Sequence, residues 1–220
     1  MSLLRMTASA SIALLLGIAA VLGGSVNLLA LLTQAIIYAV FAIGVGFLLR
    51  QNGMVSFGHA LFFGSAGYFI GILLQLKVMP AEAAIVVTLL ALTLMAFVMG
   101  LVIVRVPGIA FGMLTLAIGQ MFFLTATRSR GLTGGSDGMS IDWPATLFGV
   151  PMSALVKPGT MFLICWVTLV VVLLLLSLLL RTRFGSISEA VRDNEERARF
   201  IGIRTLLPRA AVYALSAAVT

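Results

Sequence analysis

The stretch Arg181–Arg209, RTRFGSISEAVRDNEERARFIGIRTLLPR, is the one long polar segment in a chain otherwise built of apolar runs. It carries seven of the 14 basic residues and four of the 7 acidic ones. Its middle has the pattern of a short amphipathic helix. Ser186 and Glu189 stand at capping-box spacing, in which the serine oxygen takes an orphan backbone N–H and the glutamate reaches back to the cap. Ile187, Ala190, Val191, Ala198 and Ile201 recur at helical intervals, and Asp193 with Arg197 and Glu195 with Arg199 are acid-first pairs four residues apart. Gly202 sits where a left-handed residue ends a helix, with Pro208 beyond it. A helix of about fifteen residues spans roughly 22 Å at 1.5 Å per residue, too short and too charged to cross a bilayer. The segment is expected outside the membrane, either as a loop whose arginines set topology or as a helix that docks a soluble partner. The caps and the apolar face favour the helix.

The surrounding composition decides the class. The chain is 61% hydrophobic and 10% charged, with a mean hydropathy of +1.19. A soluble domain is about 25% charged, so this chain cannot cover itself with a polar surface. It reads as an all-α, polytopic bundle of transmembrane helices in a lipid bilayer. The net charge of +7 is no nucleic-acid footprint, because the basic residues sit at the ends of apolar runs and in one loop. The single cysteine, Cys165, lies inside an apolar run, which excludes a disulfide framework or a cysteine metal site within one chain.

Six spans and the start of a seventh are expected. Met6 to Leu22 resembles a secretory signal but lacks an A-x-A site before Gly23 and Gly24, so it is taken as a retained first helix. Leu28 to Leu49 ends at Arg50. The third span, Phe57 to Leu76, follows QNGMVSFGH, where polar and small residues predict an unwound or re-entrant start. Ala81 to Val104, Ala110 to Thr127 and Met161 to Leu180 follow, the last after a Gly- and Pro-rich loop, 128–158, in which Trp143 is placed as an interfacial anchor. Ala210 to Thr220 is apolar but too short to span, as if a seventh helix were cut. If the N-terminus shares a side with 181–209, that side holds Arg5, Arg50, Arg105 and the seven arginines of the loop, against Lys77, Arg128, Arg130 and Lys157 opposite. The excess marks it as cytoplasmic.

Chemistry-bearing residues are few. No G-x-x-x-x-G-K-[ST] phosphate loop occurs, no residues have metal-ligand spacing, and no cofactor is indicated. An enzyme is not expected. Polar groups at membrane depth remain: Asn52, Ser56, Gly58 and His59 at the start of the third span, and Thr115 and Gln120 in the fifth. Two readings stand for these, a translocation path bordered by them or hydrogen bonds that hold neighbouring helices together. The pairs Gly67/Gly71 and Gly108/Gly112 have the small-xxx-small spacing of close helix packing. The spans hold no carboxylate apart from Glu82, near an interface, which argues against an ion-coupled transporter or channel acting alone.

Taken in order, NGMVSFGHALFFGSAGY (52–68), VPGIAFGMLTLAIGQMFF (106–123), GLTGGSDGM (131–139) and the 181–203 motif resemble the permease subunits of bacterial ABC importers for branched-chain amino acids, whose relatives move urea or short amides. The resemblance implies a multi-pass inner-membrane permease domain over 1–220, C-terminally incomplete, with a cytoplasmic N-terminus and no ATPase activity of its own. It implies as partners a second homologous permease, two cytoplasmic ATPase subunits and an extracytoplasmic substrate-binding protein, with transport by alternating access. The 181–209 loop would then be the coupling segment, with Ser186, Glu189, Arg192, Asp193, Asn194, Glu195 and Gly202 as its residues. The outer-loop motif, Gly134, Gly135, Ser136 and Asp137, lies in an extracytoplasmic segment, 128–158, open to the binding protein.

Overall fold

A computed structural model describes residues 3–220, with side chains from Ala10 onward, so the side chain of Arg5 lies outside the described residues. The described chain is helical apart from its turns, the outer loop and one two-stranded hairpin. Among the described residues four helices are long and apolar enough to cross a membrane: α2 (Val26–Asn52), α4 (Ala81–Ile103), α5 (Gly108–Arg128) and α8 (Pro158–Leu179). Three apolar helices are shorter over their described residues: α1 (Leu3–Gly23, described from Ala10), α3 (Ala60–Gln75) and α11 (Leu206–Val219). Single turns α6 (Arg130–Thr133) and α7 (Met152–Leu155) flank the hairpin of β1 (Thr146–Leu147) and β2 (Val150–Pro151). The polar segment forms α9 (Arg183–Asp193) and α10 (Glu195–Phe200). The outward faces of the spans are apolar, with Leu31, Leu90, Leu94, Val98 and Leu175 all exposed, as a lipid-facing surface requires.

The helix expected as a cut seventh span is the centre of the bundle. In α11, Ala210, Val212, Tyr213, Ala214, Ser216 and Ala217 are all buried, packed against α2 and α4. Small residues make this possible. A Cβ on Gly100 of α4 would stand 3.3 Å from the Ala210 Cα, and one on Gly44 of α2 would stand 3.0 Å from the Ser216 carbonyl. With no hydrophobic force between helices in lipid, such close approach supplies the packing. Tyr213 anchors the middle, edge-on to His59, Phe62 and Phe111 at ring distances of 5.4, 5.8 and 6.0 Å.

The glycine pairs singled out by spacing behave otherwise. Gly67 and Gly108 have nothing within 4 Å, Gly71 meets Met139 and Ile141 of the outer loop, and Gly112 meets Phe57 of the irregular segment before α3. Gly44 and Gly100, and Gly17 of α1 against Trp166 of α8, bring helix against helix, and all three stand outside any G-x-x-x-G.

On the far side of α2, Leu29, Ile36 and Phe162 form a second cluster joining α2 to α8. Trp166 stacks on Phe162 and donates its indole N–H to the Ala13 carbonyl at 2.8 Å, which fastens α1 to α8. At the end of the bundle where α3 stops, Ile141 and Leu147 cover Leu74, Ala81 and Ala84, and the Phe148 N–H donates to Glu82 at 2.8 Å.

Tyr213→Ala is expected to lower stability by about 3–5 kcal/mol, the range for emptying a buried aromatic site, whereas Tyr213→Phe keeps the ring contacts and costs far less. Thermal unfolding of the solubilised protein separates the two.

Candidate functional site

Two polar constellations meet on α11. The first surrounds residues 53–59, which are not helical. Backbone groups in an apolar interior need partners, and here side chains provide them. The Phe57 N–H donates to Thr115 Oγ1 at 3.2 Å, and that hydroxyl donates to the Gly112 carbonyl at 2.8 Å. The Gly58 N–H donates to Ser56 Oγ. His59, 1% exposed, lies between Ser56 Oγ and Ser216 Oγ, each 2.7 Å away. Ser216 donates its own proton to the Gly44 carbonyl at 2.7 Å, so it accepts from His59. Nε2 therefore carries a hydrogen, and in a neutral ring Nδ1 accepts from Ser56. One directed chain runs from the Gly58 amide through Ser56, His59 and Ser216 to Gly44, crossing from the irregular segment through α11 to α2.

Gly58 is seated by contact as well as by hydrogen bonding. A Cβ there would collide with the Thr115 carbonyl, and Gly119 also lies against it, so the segment presses flat on α5. Beside it, a cleft of about 300 Å³ opens between α3 and α5, lined by Gly58, Gln120, Ser65, Tyr68, Phe57 and Phe123. Among the residues that sequence singles out at membrane depth, Gly58 and Gln120 therefore reach a cavity. Ser56, His59 and Thr115 are buried in helix-to-helix hydrogen bonds. Asn52 stands apart from both groups, donating to the Arg209 carbonyl at 2.9 Å.

The second constellation is the polar segment at the end of α2. At 27 residues α2 is roughly 40 Å long, longer than the ~30 Å apolar slab of a bilayer, so its last turn projects beyond it. There Ser188 of α9 donates to Gln51 Oε1 and Arg192 donates to the Arg50 carbonyl, both at 2.6 Å. Glu195 opens α10 and joins it to α11: its carboxylate accepts from Arg209 at 2.7 Å, Thr205 at 2.9 Å and Arg199 at 2.6 Å. Burial alone would raise the Glu195 carboxyl, but the Thr205 hydrogen bond and the charges of Arg209 and Arg199 outweigh it and hold it below the ordinary carboxylate value.

Several sequence expectations for this segment need correction. It is two helices, not one. Asn194 leaves helical geometry at φ −156°, and its side chain accepts from the Arg197 N–H at 2.8 Å, starting α10 afresh. The break separates Asp193 from Arg197, and Asp193 pairs with its neighbour Arg192 at 2.6 Å instead. The Ser186–Glu189 capping box does not form, because α9 begins at Arg183, with Thr182 as its cap, and Ser186 already lies inside the helix. Pro208 stands in the first turn of α11 and is no terminator. Of the expected apolar face, Val191 and Ala198 are buried, while Ile187 and Ile201 are exposed, the latter beside Phe200 at 90% exposure. Glu195 with Arg199 pairs as its spacing indicates, and Gly202 takes φ +86° after α10.

At the opposite end, Gly134 and Gly135 adopt φ +74° and +66°, which L side chains rarely adopt. Ser136 and Asp137 are exposed on the 3₁₀ turn that follows. Sequence reasoning overlooked Gln51, Ser188, Thr205, Arg209 and Ser216. Their partners lie up to 157 residues away, so only Arg209, a charge beside an apolar run, left any local signal.

Two outcomes are expected. Ser216→Ala, which strands the buried His59 N–H, should cost about 1–3 kcal/mol, and the double variant with His59→Phe should cost less than the sum because both remove one bond. The depressed Glu195 carboxyl gives stability that is complete above the ordinary carboxylate range and is lost as pH falls through its lowered folded value. Hydrogen-exchange protection of 195–209 should follow that fall, and Glu195→Gln should remove the dependence.

The comparisons agree with this architecture. Over residues 27–220 the chain matches the family described as branched-chain amino acid transport system / permease component. It is similar to the high-affinity branched-chain amino acid transport system permease protein LivM of Escherichia coli (strain K12), 21% identical over 206 residues covering 84% of this chain and 48% of that protein. It is also similar to LivM of Salmonella typhimurium, 22% identical over the same shares. The chain thus spans about half the length of the curated relatives it matches. No solved structure matches it. With its apolar helices and this match across most of its length, the chain is a multi-pass membrane protein that belongs to the branched-chain amino acid permease family of transport components, which are not enzymes.

Proposed function

We propose that the chain is part of the inner-membrane permease subunit of an ATP-driven importer for branched-chain amino acids, working by alternating access. One observation carries this reading: α9 and α10, polar and outside the spans, are fastened to the ends of two helices, α2 through Gln51 and Arg50 and α11 through Arg209. A push on such a segment moves helices directly. In this reading 181–209 is the cytoplasmic coupling segment, and an ATPase subunit docks on its outer face. Arg192, Asp193 and Glu195 hold the inner side, and the exposed Phe200 and Ile201 supply the anchors, as large apolar side chains do at interface centres. The N-terminus lies on the cytoplasmic side, and the hydrolysis itself belongs to the ATPase.

The same reading assigns the other features. Substrate passes along the α3–α5 cleft by Gly58 and Gln120, completed by a second homologous permease, while Ser56, His59 and Thr115 hold its wall. Loop 128–158, with Gly134 to Asp137, receives the substrate-binding protein. Alternating access needs only two packings of similar free energy, biased by ligand on one side and ATP on the other.

The test is uptake of leucine, isoleucine and valine into proteoliposomes holding the full complex. Glu195→Ala and Arg192→Ala should insert normally yet lower ATP-driven uptake by roughly five- to a hundredfold, the span of a typical coupling energy. Phe200→Ala should lower uptake with no change in the melting temperature of the permease, since that ring is almost wholly exposed. Full uptake by all three variants, or transport of urea in place of the amino acids, would overturn the assignment.

A further inference from the structure

A second cavity, of about 420 Å³, lies where α4 ends and α11 begins. Three guanidinium groups line it, those of Arg105, Arg199 and Arg209, against the single carboxylate of Glu195. The balance is two positive charges in excess. Arg209 is only 17% exposed, and beyond Glu195 its other terminal nitrogen meets just the Met54 sulfur at 3.7 Å, a weak acceptor. Arg105 uses Nε on the Leu101 carbonyl at 3.0 Å, and its two terminal nitrogens make no hydrogen bond to any described residue. Arg105 and Arg199 are exposed and only Arg209 is largely covered, so the excess of cations with unused donors forms a half-open site that suits an anion.

The position says which anion. Ile103 closes α4 and Leu206 opens α11, so the cavity stands at the end of the apolar slab. Leu206 forms part of its wall, and the neighbouring residues Val102, Ile109 and Leu207 are exposed apolar side chains. A headgroup phosphate in the cavity would leave its acyl chains on those side chains, whereas a free phosphate would leave them bare. Basic pockets between helices at a membrane boundary suit such headgroups. We propose that this cavity binds the phosphate of an anionic phospholipid, with Arg105 as its free ligand and Arg199 and Arg209 held in place by Glu195. A lipid seated there touches α4, α10 and α11 together and braces the joint between the polar segment and the central helix.

The full-length protein, reconstituted in nanodiscs of phosphatidylcholine with or without phosphatidylglycerol, gives the test. Phosphatidylglycerol should raise the melting temperature and be retained in native mass spectra. Arg105→Gln, which leaves the Glu195 ion pairs intact, should melt normally in phosphatidylcholine but retain the anionic lipid about tenfold less well, the scale of one charge-assisted hydrogen bond. Arg50→Gln, at the same end of the bundle but outside the cavity, should retain it fully. Any of four results would overturn the proposal: equal stabilisation by both lipids, an equal shift from inorganic phosphate alone, equal loss in Arg50→Gln, or loss of a co-purified ATPase from Arg105→Gln with lipid retention unchanged.

Discussion

A stretch of seven non-helical residues, 53–59, lies inside an otherwise helical bundle, and the arrangement around it depends on satisfying their backbone. In water such a segment would be unremarkable. Between apolar helices each unpaired amide or carbonyl costs several kcal/mol, so partners must come from the neighbouring helices. Thr115 of α5 accepts from the Phe57 amide and Ser56 from the Gly58 amide, while Ser216 of α11 pairs with the His59 ring of the same segment. Because one of these partners sits on α11, the irregular segment and the central helix are one mechanical unit. The neutral tautomer of His59 avoids a buried charge and completes the chain of donors and acceptors.

The polar segment touches the same helix from outside. Glu195 grips the start of α11 through Arg209 and Thr205, and Asn52 holds the Arg209 carbonyl from the end of α2. About two turns further along α11, Ser216 reaches His59. In the proposed mechanism a displacement of α10 would be carried along this short helix to the residues beside the α3–α5 cleft. Small side chains at Gly44, Gly100, Ala210 and Ala214 let α11 lie close to both neighbours, which suits sliding between two packings better than large interlocked residues would.

Much of this was legible in the chain. Hydropathy located the apolar helices, four of them long enough to cross a membrane where six spans were expected, the run of Asn, Gly, Ser and His located the break before α3, and Glu195 with Arg199 kept the pair that their spacing announced. The errors have local physical causes. Asn194 offers the backbone its own side chain and so divides a helix that periodicity alone joins. Ser186 loses its capping role because the helix starts a turn earlier, where Gly185 allows the chain to pass closely over Leu180. The central position of α11 was hidden because burial in a membrane protein follows small residues, and hydropathy does not distinguish lipid from protein. The partnership of His59 with Ser216 spans 157 residues and leaves no trace in spacing.

The account stands on the claim that α9 and α10 receive an ATPase. The most direct measurement is to express the full-length protein with the products of its neighbouring genes, purify through this subunit, and follow hydrogen exchange over 183–203. Co-purification of an ATPase, with new protection at Ile187 and at Phe200 to Gly202, is the result predicted. Purification of the subunit alone, still able to mediate flux and with that face unprotected, would contradict it and leave the polar segment as a determinant of topology only.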